Sequence, residues 1–430
     1  SNHSSFSAWN LTEIFLPGGG KIAVEYESDD YAFVEDHSSM LFTSVTKMGH
    51  VNEKSAHATL ANSNFAKDPT SKKPHNVVYF RLPEEITAAT LAEGKDKLYD
   101  RYLKPIYEEH DGKLYYRYLV KIHDDSGSPE EWITGYCQIA MGTNPQDSYG
   151  LIGSSPYQQA WITLQDVPVQ EDVNNSYSTN PIMNQAWQFM RLSAPRNLFG
   201  NNVLSGTSVL NGIDIPSMVK AMNKVLYNKK ICRSFIPEKS CIRIGAGGKK
   251  KGGGSRVKKI LFYDQFNAMT GNKEIGSVYG MEYEYKSETG ESYGVASYEP
   301  LIGNDENPLK KGEEYVVERD KLPDEKLYHF SPIGEQFYEG AQVGYSEVKV
   351  KSIEYSGVER NATGYTIHNF YTSKDAPVIN RKTAITTIPI EQGKTVIDGI
   401  FMRERVSTAT MSQGFLIRKV HLADKQIGRA

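Results

Sequence analysis

The sequence predicts a mainly β fold of large twisted antiparallel sheets, with a small helical insertion near the middle of the chain. Of its 430 residues, 27 are Tyr and 36 are Gly. Tyrosine is favoured in strands, and glycine is favoured in turns and bulges. Predicted strands recur irregularly, about every 10–15 residues, without long helices between them, and this spacing is typical of antiparallel sheets.

The composition excludes several classes of protein. The 49 Lys and Arg residues nearly balance the 52 Asp and Glu residues, so the formal net charge is −3 and the basic charge of a nucleic-acid-binding domain is absent. The chain is 11 % aromatic, which is too high for a disordered protein. No run approaches the roughly 18 apolar residues that a membrane-spanning helix needs. We therefore expect no nucleic-acid partner and no membrane span in this segment.

The length predicts two to three domains at about 150 residues each. We expect a β-rich unit over residues 1–175 with a short helix near 86–103, a helical insertion and connection over 176–244, and a second β-rich unit over 245–430. Strand pattern begins soon after the first residue, where no signal peptide is recognisable, and another predicted strand lies close to the last residue. We therefore expect the main partner to be the remainder of a longer polypeptide.

The first unit opens with a predicted hairpin. Ile14 and Leu16 lead into a Pro-Gly-Gly-Gly turn at 17–20, and Ile22 and Val24 then alternate with polar or small residues, which is the strand period. Strand character resumes at Val77–Phe80.

A short amphipathic helix is predicted between Glu84 and Leu103, because apolar residues recur there at spacings of three and four. These apolar positions are Leu91, Leu98, Tyr99, Tyr102 and Leu103. A second hairpin follows, in which Leu114–Val120 pairs with Trp132–Ala140 across turn residues at 123–128.

The helical insertion begins where Asn180 can cap a helix with Pro181 at its first position. One face of this helix is expected to be apolar: Ile182, Met183, Ala186, Trp187 and Met190. A second helix is predicted from Pro216 to Leu226.

The last unit is predicted to be strand and turn. Tyr279–Tyr285 alternates, turns at 287–290 and returns through Tyr293–Tyr298. Val348–Tyr355 is expected to face Tyr365–Tyr371 across a loop.

The three cysteines have no CxxC spacing, so a zinc finger or a thioredoxin-type redox site is not expected. Cys232 and Cys241 are nine residues apart and could bridge a hairpin. The alternative is that both are buried free thiols, as Cys137 would also be.

The glycine-rich joint at Gly245–Gly254 resembles a phosphate-binding loop only superficially. A phosphate loop needs a Ser or Thr after its Gly-Lys pair, whereas Lys250 follows Gly248-Lys249 here. Predicted strands flank the joint, so no helix dipole is available. We interpret it as a flexible basic hairpin connection.

Two acidic clusters are candidates for calcium, which prefers several oxygen ligands. One lies along a strand at Glu25, Glu27, Asp29 and Asp30, and the other is the turn at Asp305-Glu306. Neither has the spacing of a calcium loop, and solvated turns are the alternative.

Motifs for nucleophilic or metal chemistry are lacking. The ten His residues show no HExxH, and neither Gly150–Ser155 nor Gly206–Leu210 has the final glycine of a serine nucleophile elbow. We assign no catalytic, cofactor-binding or metal-binding residue and expect a protein that is not an enzyme. Tyrosines on the strands could stack on sugars or peptides; the alternative is cross-strand packing within a sheet.

Nine segments, in order along the chain, carry a resemblance to known proteins: Trp9–Leu11, Leu16–Ile22, Val24–Ala32, Ala186–Leu192, Gly252–Ile260, Gly294–Gly303, Val343–Ser346, Phe370–Pro377 and Ser412–Leu416. They resemble a family of very large extracellular or surface proteins of the Bacteroidetes, of the flavobacterial type, that are similar in style to Rhs/YD-repeat proteins.

This resemblance implies a secreted or cell-surface β-rich protein whose sheets coil into a YD-type shell. It carries no catalytic residue to this chain. Our leading hypothesis is a non-catalytic structural section of a giant protein that scaffolds or encases a cargo or toxin region. The rival is an adhesin or glycan-binding module that uses a Tyr-rich sheet surface, and a hydrolase is the third hypothesis.

Overall fold

The computed structural model describes residues 9–49, 65, 74–123, 129–141, 145–172, 175–193, 226, 230–264, 278–299, 304–319, 322–330, 343–353, 364–377 and 405–406. Among them, strands take 52 % and helical segments 15 %, so the predicted mainly β class is confirmed. Large antiparallel sheets and a small helix near the middle are also confirmed. Closure into a YD-type shell stays a prediction.

The strands are β1 (Glu13–Phe15), β2 (Lys21–Tyr31), β3 (Phe33–Val34), β4 (His37–Ser38), β5 (Met40–Gly49), β6 (Val77–Ile86), β7 (Lys113–Lys121), β8 (Glu130–Gln138), β9 (Tyr149–Ile152), β10 (Tyr157–Thr163), β11 (Val167–Asp172), β12 (Asn175–Thr179), β13 (Ser234–Phe235), β14 (Cys241–Gly245), β15 (Lys250–Tyr263), β16 (Val278–Glu284), β17 (Gly294–Ala296), β18 (Gly312–Arg319), β19 (Leu322–Phe330), β20 (Val343–Tyr345), β21 (Glu347–Ser352), β22 (Tyr365–Asn369) and β23 (Arg405–Val406). The helices are α1 (Leu91–Leu98), which continues through π-helical turns at Tyr99–Leu103 and Pro105–Glu109, and α2 (Pro181–Ser193). Short 3₁₀ turns lie at Pro145–Ser148 and Pro237–Lys239.

The main hydrophobic core lies on an eight-stranded sheet of order β13-β7-β14-β5-β6-β10-β9, with β8 paired to β7. Side chains of β7, β14 and α2 meet in this core, among them Tyr116, Tyr118, Ile242 and Trp187. β7 is buried on both faces, because Tyr115 on the opposite face is only 2 % exposed. The tyrosines of this sheet therefore serve mainly as core packing.

The predicted N-terminal and 114–140 hairpins are confirmed. β1 pairs antiparallel with β2, with Ile14 opposite Ile22. β7 pairs with β8 along its whole length, from Lys113 opposite Gln138 to Lys121 opposite Glu130. The predicted turn at 123–128 lies largely outside the described residues.

The helix near 86–103 is partly correct. Leu98, Tyr102 and Leu103 are buried as predicted, but Leu91 is 55 % exposed. The helix begins at Leu91, since residues up to Ile86 belong to β6. The Thr90 hydroxyl caps the helix by accepting a hydrogen bond from the Glu93 N–H at 3.2 Å.

The predicted cap of α2 is confirmed. The Asn180 side-chain oxygen accepts hydrogen bonds from the N–H groups of Ile182 at 2.8 Å and Met183 at 3.1 Å. The apolar face faces the core as predicted, and Trp187 is fully buried. The second predicted helix, from Pro216, lies outside the described residues except for Leu226.

A six-stranded sheet of order β1-β2-β15-β16-β21-β22 forms the second large layer. The predicted pairing of β21 with β22 is confirmed, with Val350 opposite Thr366. The return from β16 is only partly as predicted. After a single bridge between Lys286 and Ser292, the chain leaves this sheet, and β17 joins a four-stranded sheet of order β20-β17-β3-β4.

Strands from distant parts of the sequence share these sheets. The six-stranded sheet combines β1 and β2 with four strands from beyond residue 249, and the eight-stranded sheet combines β5–β10 with β13 and β14. Two smaller sheets pair β11 with β12, and β18 with β19 and β23. The boundaries at residues 175 and 244 stay predictions.

The interpretation of Gly245–Gly254 as a hairpin connection is wrong. β14 belongs to the eight-stranded sheet and β15 to the six-stranded sheet, so the joint links two sheets. β15 already begins at Lys250, and its register against β2 shifts between Lys251 and Ser255. Gly253 and Gly254 have φ of 103° and 130°, which glycine tolerates because it lacks Cβ. The joint is therefore an ordered bulge.

Candidate functional site: two polar clusters between the sheets

Both acidic clusters and the glycine joint lie where the six-stranded sheet meets its neighbours. We define the Arg256 cluster as Glu27, Asp29, Asp30, Arg256, Tyr285, Lys286, Ser292 and Tyr345. We define the Lys250 cluster as Tyr31, Lys250, Glu299, Asn304 and Glu306. Together they hold four of the buried charged side chains that the structure describes: Asp29, Asp30, Arg256 and Glu299.

Arg256 is the centre of the first cluster. Its guanidinium donates to Glu27 at 2.7 Å and to Asp30 at 2.7 Å. It also donates to the Tyr345 hydroxyl at 2.9 Å. The guanidinium lies over the rings of Tyr285, 4.5 Å from the centroid, and Tyr345, 5.1 Å away. A cation enclosed in this way binds through charge and through the ring faces together.

Asp30 receives further donors. The Ser292 hydroxyl donates to its carboxylate at 2.7 Å, and the Lys286 ammonium lies 3.1 Å away. Burial alone would raise the pKa of Asp30, but the hydrogen bonds from Arg256, Ser292 and Lys286 outweigh burial and hold the pKa below its ordinary value. The fold therefore favours the ionised form of Asp30.

The pKa of the neighbouring Asp29 is shifted in the opposite direction. Burial raises the pKa of Asp29 above its ordinary value, and the hydrogen bond from the Tyr345 hydroxyl and the charge of Arg256 compensate only in part. Tyr345 donates to Asp29 at 2.6 Å. Its own pKa is raised by burial and by that same hydrogen bond, so Tyr345 stays a neutral donor.

The Lys250 cluster joins the glycine joint to the acidic turn. The Lys250 ammonium lies 2.9 Å from Glu299 and 3.2 Å from Glu306. Glu299 has a side chain that is only 2 % exposed, and it also accepts from the Tyr31 hydroxyl. Glu306 accepts from the Phe42 N–H at 2.8 Å, on β5 of the eight-stranded sheet. The cluster therefore connects both large sheets.

The turn at Asp305-Glu306 is organised around a side-chain cation. The guanidinium of Arg243 donates to the backbone carbonyls of Asp305 at 3.1 Å, Asn307 at 3.0 Å and Lys310 at 3.0 Å. Arg243 is 1 % exposed, and Lys310 pairs with the Asp305 carboxylate at 3.0 Å. Carbonyl oxygens that converge in this way could ligate a calcium ion, but here they accept from Arg243.

The structure changes the interpretation of the acidic cluster on β2, for which the sequence left a calcium site and a solvated turn as alternatives. Asp29 and Asp30 are 7 % and 4 % exposed, so that part of the strand is not a solvated turn. Among the residues that the structure describes, no group of three or more His, Cys, Asp or Glu side chains could hold a metal ion. Sequence reasoning did not identify Arg243 or Arg256 as candidate site residues, because their hydrogen-bond partners lie between 62 and 229 residues away along the chain.

Two N–H groups at the start of the glycine joint are bound within the protein and do not face a ligand. The Ala246 N–H donates to the Ser39 carbonyl at 2.8 Å, and the Gly247 N–H donates to the Arg101 carbonyl at 3.1 Å. A Cβ on Gly245 would lie 2.9 Å from the Arg101 carbonyl oxygen, which leaves no room for a side chain. The joint is packed against the helical turns after α1.

The remaining reactive side chains are also held in structural contacts. Cys137, Cys232 and Cys241 are free, and burial raises the pKa of Cys241 to about 11 and that of Cys232 to about 12. Low thiolate content makes such thiols unreactive. The hydroxyl of Ser155 accepts from the Ala88 N–H at 3.0 Å. Ser208 lies outside the described residues.

The described tyrosines differ in burial. Those of the eight-stranded sheet are buried, as cross-strand and core packing requires, and so are Tyr31 and Tyr285 of the two polar clusters. Three others are exposed on or near the six-stranded sheet: Tyr279 at 59 %, Tyr365 at 59 % and Tyr371 at 71 %. Tyr279 stacks on Phe262 with centroids 5.2 Å apart, and the Lys349 ammonium lies 4.0 Å from the centroid of Tyr365.

No helix among the described residues is long and apolar enough to cross a membrane. Comparison of the chain with protein-family models, with curated proteins and with solved structures finds no match. The resemblance to the large Bacteroidetes surface proteins therefore stays a prediction.

Proposed function

We propose that the chain is a non-catalytic structural section of a large secreted or cell-surface bacterial protein. One observation carries this proposal: the buried charged groups that most resemble a site bind one another across sheets. Arg256 on β15 binds Asp30 on β2 and Tyr345 on β20. Lys250 binds Glu306, whose carboxylate also accepts a hydrogen bond from the Phe42 N–H on β5. Groups paired in this way depend on one another, because removing one partner leaves the other charge uncompensated, and their hydrogen-bonding capacity is used within the protein.

The segments that carry the family resemblance support the same proposal, because most of them meet at this junction. Val24–Ala32 and Gly252–Ile260 supply the two sides of the Arg256 cluster, and Val343–Ser346 supplies Tyr345. Gly294–Gly303 supplies Glu299. In Phe370–Pro377, Ser373 donates to the Ala296 carbonyl of β17 at 3.4 Å. The resembling residues thus specify a joint between sheets.

The main partner in this proposal is the remainder of a longer polypeptide, for which the chain would act as a scaffold or as part of a casing around a cargo or toxin region. A secreted or surface location follows from the resemblance. Most of the segments that carry the resemblance lie where the six-stranded and four-stranded sheets meet, and a scaffold needs accurate geometry at such a place.

Broad activity profiling tests the non-catalytic part of the proposal. We expect no turnover above background with chromogenic esters, phosphoesters, peptides and glycosides. Turnover that is lost in Glu299→Gln or Asp29→Asn, but kept in the exposed control Glu25→Gln, would contradict the proposal. It would make one of the two clusters an active site.

A glycan-binding adhesin is the second candidate, and the exposed Tyr365 favours it. This ring lies on the charged face of the six-stranded sheet, with Lys349 and Glu284 opposite each other on the adjacent strands. An exposed ring next to hydrogen-bonding side chains suits a sugar. Reproducible micromolar binding on a glycan array that is lost in Tyr365→Ala and kept in Tyr371→Ala would favour this candidate over the structural one.

A further inference from the structure

The Lys250 cluster brings an amine, a carboxylate and a carboxamide together. The Lys250 Nζ donates to Glu299 Oε1 at 2.9 Å, and the Asn304 Nδ2 donates to the other carboxylate oxygen, Oε2, at 3.2 Å. The side chain of Glu299 is 2 % exposed and that of Lys250 is 12 % exposed. One buried carboxylate therefore lies between a primary amine and the side chain of an asparagine.

The Asn304 carboxamide is also bound through its oxygen. Its Oδ1 accepts a hydrogen bond from the Glu306 N–H at 3.2 Å. A donor at this position polarises the carbonyl and would stabilise negative charge that develops on Oδ1. The Glu306 carboxylate lies 3.2 Å from the Lys250 Nζ. Lys250 and Asn304 therefore share two neighbours, Glu299 and Glu306.

The surrounding fold fixes Glu299 in this position. The Tyr31 hydroxyl donates to Glu299 Oε1. The fully buried Asn307 donates through Nδ2 to the Glu299 backbone carbonyl at 2.9 Å. Because Glu299 is closed to solvent, water has little access to the neighbouring carboxamide, and the Lys250 amine is the nucleophile nearest to hand.

We propose that Lys250 and Asn304 join in an intramolecular amide bond, with Glu299 as the general base and general acid. The Lys250 ammonium first gives a proton to Glu299, since two neutral groups are easier to keep in a buried site than two charges. The lone pair of Nζ then attacks Cγ of Asn304, and the carbonyl electron pair moves to Oδ1, towards the Glu306 N–H. Attack needs Nζ within about 3.5 Å of Cγ, and the flexible side chain of Lys250 supplies that movement.

The second half of the reaction releases ammonia. Glu299 gives its proton to Nδ2, the Cγ–Nδ2 bond breaks as the carbonyl re-forms, and Nζ returns a proton to Glu299. The ammonia takes up that proton and leaves as ammonium. One C–N bond replaces another, so no oxidant, reductant or co-reactant is needed. Each chain reacts once with itself and turns over no external substrate.

The amide bond would connect the two large sheets. Lys250 begins β15 of the six-stranded sheet. The turn after Asn304 binds Arg243 of β14 through its backbone carbonyls, and Glu306 accepts from the Phe42 N–H of β5. A covalent link between distant residues restricts the unfolded chain as a disulfide does, and an amide is not broken by reduction.

Intact-mass spectrometry of the denatured chain tests this proposal. After incubation of the folded protein at neutral pH, we expect wild type to weigh less than its sequence by the mass of one ammonia molecule. Tryptic digestion should give a branched peptide in which the chain is uncut after Lys250 and Nζ is joined to the peptide that contains Asn304.

Three variants separate the proposed chemistry from other losses of ammonia. Lys250→Arg keeps the positive charge but should keep the full mass, because a guanidinium stays protonated and is not a nucleophile. Glu299→Gln should slow the loss of ammonia about a hundredfold or more, since the general acid–base group is removed. Lys251→Arg is the matched control: Lys251 is exposed on the same strand, and this variant should lose ammonia like wild type. Circular dichroism establishes that each variant is folded.

Two results would overturn the proposal. One is a wild-type chain that keeps its full mass throughout the incubation, which is decisive without any variant. The other is a loss of ammonia that persists in Lys250→Arg and gives no branched peptide, as a succinimide at another asparagine would.

Discussion

At the residue scale, Arg256 compensates Asp30, a carboxylate that burial alone would destabilise, and also binds the partly exposed Glu27. Isolated buried charges are strongly unfavourable, and removing one partner of a buried pair leaves the other uncompensated. Glu27 and Asp30 both depend on the Arg256 guanidinium, and Tyr285 and Tyr345 shield it from water. The same reasoning applies to Lys250, which lies between Glu299 and Glu306.

Arg256→Gln should lower the free energy of unfolding by about 3 kcal/mol, because Asp30 loses its main cationic partner inside the protein. Urea denaturation measures this change. Lys258→Gln is the matched control, since Lys258 is exposed on the same strand, and it should alter stability by less than about 0.5 kcal/mol. If Arg256→Gln and Lys258→Gln lowered the free energy of unfolding equally, the Arg256 cluster would stabilise the fold no more than an exposed lysine does.

Lys250 and Lys251 should differ although they are adjacent. The Lys250 side chain is 12 % exposed and binds two carboxylates, whereas Lys251 is exposed. Lys250→Met should destabilise the protein by about 2 kcal/mol because Glu299 stays buried with less compensation. Lys251→Met should be within about 0.5 kcal/mol of wild type. A flexible connection, in which both lysines would be solvated, predicts no difference between the melting temperatures of the two variants.

Asp29 and Asp30 should have opposite effects on the pH dependence of stability. The folded pKa of Asp30 is below its ordinary value of 3.8, so its stabilisation is present above that pH and is lost as the pH falls through the folded pKa. The folded pKa of Asp29 is above 3.8, so its ionised form opposes folding at neutral pH, and this opposition ends as the pH falls through that pKa.

Melting temperatures of Asp30→Asn and Asp29→Asn between pH 3 and pH 7 test this difference. At pH 7, Asp30→Asn should cost about 2 kcal/mol. Asp29→Asn should be neutral or stabilising, because an amide oxygen can still accept from Tyr345. A loss in Asp29→Asn as large as that in Asp30→Asn at pH 7 would contradict the assignment.

At the scale of elements, the bulge at the start of β15 lets one strand contribute a residue to each of the two clusters. The strand pairs with β2 on both sides of the register shift, so Lys250 reaches Glu299 while Arg256 reaches Asp30. The glycines inside the shift adopt φ values that residues with a Cβ rarely adopt. The bulge thereby sets the spacing between the two clusters.

Gly253→Val and Gly254→Val should each destabilise the protein by about 1–3 kcal/mol, because a β-branched residue is strained at these φ values. Lys251→Val, on an exposed position of the same strand, is the control and should have little effect. Thermal melting is the measurement. If both glycine variants had the melting temperature of wild type, the joint would be flexible and β15 would not depend on the bulge.

At the scale of the whole molecule, the sequence predicts local structure well and the polar clusters poorly. The cap at Asn180, the turn at 17–20 and the hairpin of β7 with β8 depend on neighbouring residues, and all three were predictable. Arg256 meets Asp30 across 226 residues, and no periodicity reports such a contact. Three of the four acidic residues that the sequence groups at 25–30 do share the Arg256 cluster, whereas Glu25 is exposed, and their cationic partner Arg256 lies too far along the chain to be assigned from the sequence.

The glycine joint illustrates the same limit. Its glycines indicate a turn, yet whether they close a hairpin or connect two sheets depends on the partners of β14 and β15. Those partners, β5 and β2, lie roughly 200 to 240 residues earlier. Long-range pairing of this kind makes the six-stranded, eight-stranded and four-stranded sheets dependent on one another at the junction that the two clusters occupy.

Hydrogen–deuterium exchange of Arg256→Gln against wild type tests most directly whether the Arg256 cluster is a joint between sheets. We predict faster exchange in β2 and β15, and equally in β17 and β20 of the four-stranded sheet, with β5–β7 unchanged and with Lys258→Gln indistinguishable from wild type. Faster exchange confined to the residues next to position 256, with β17 and β20 protected as in wild type, would contradict the account.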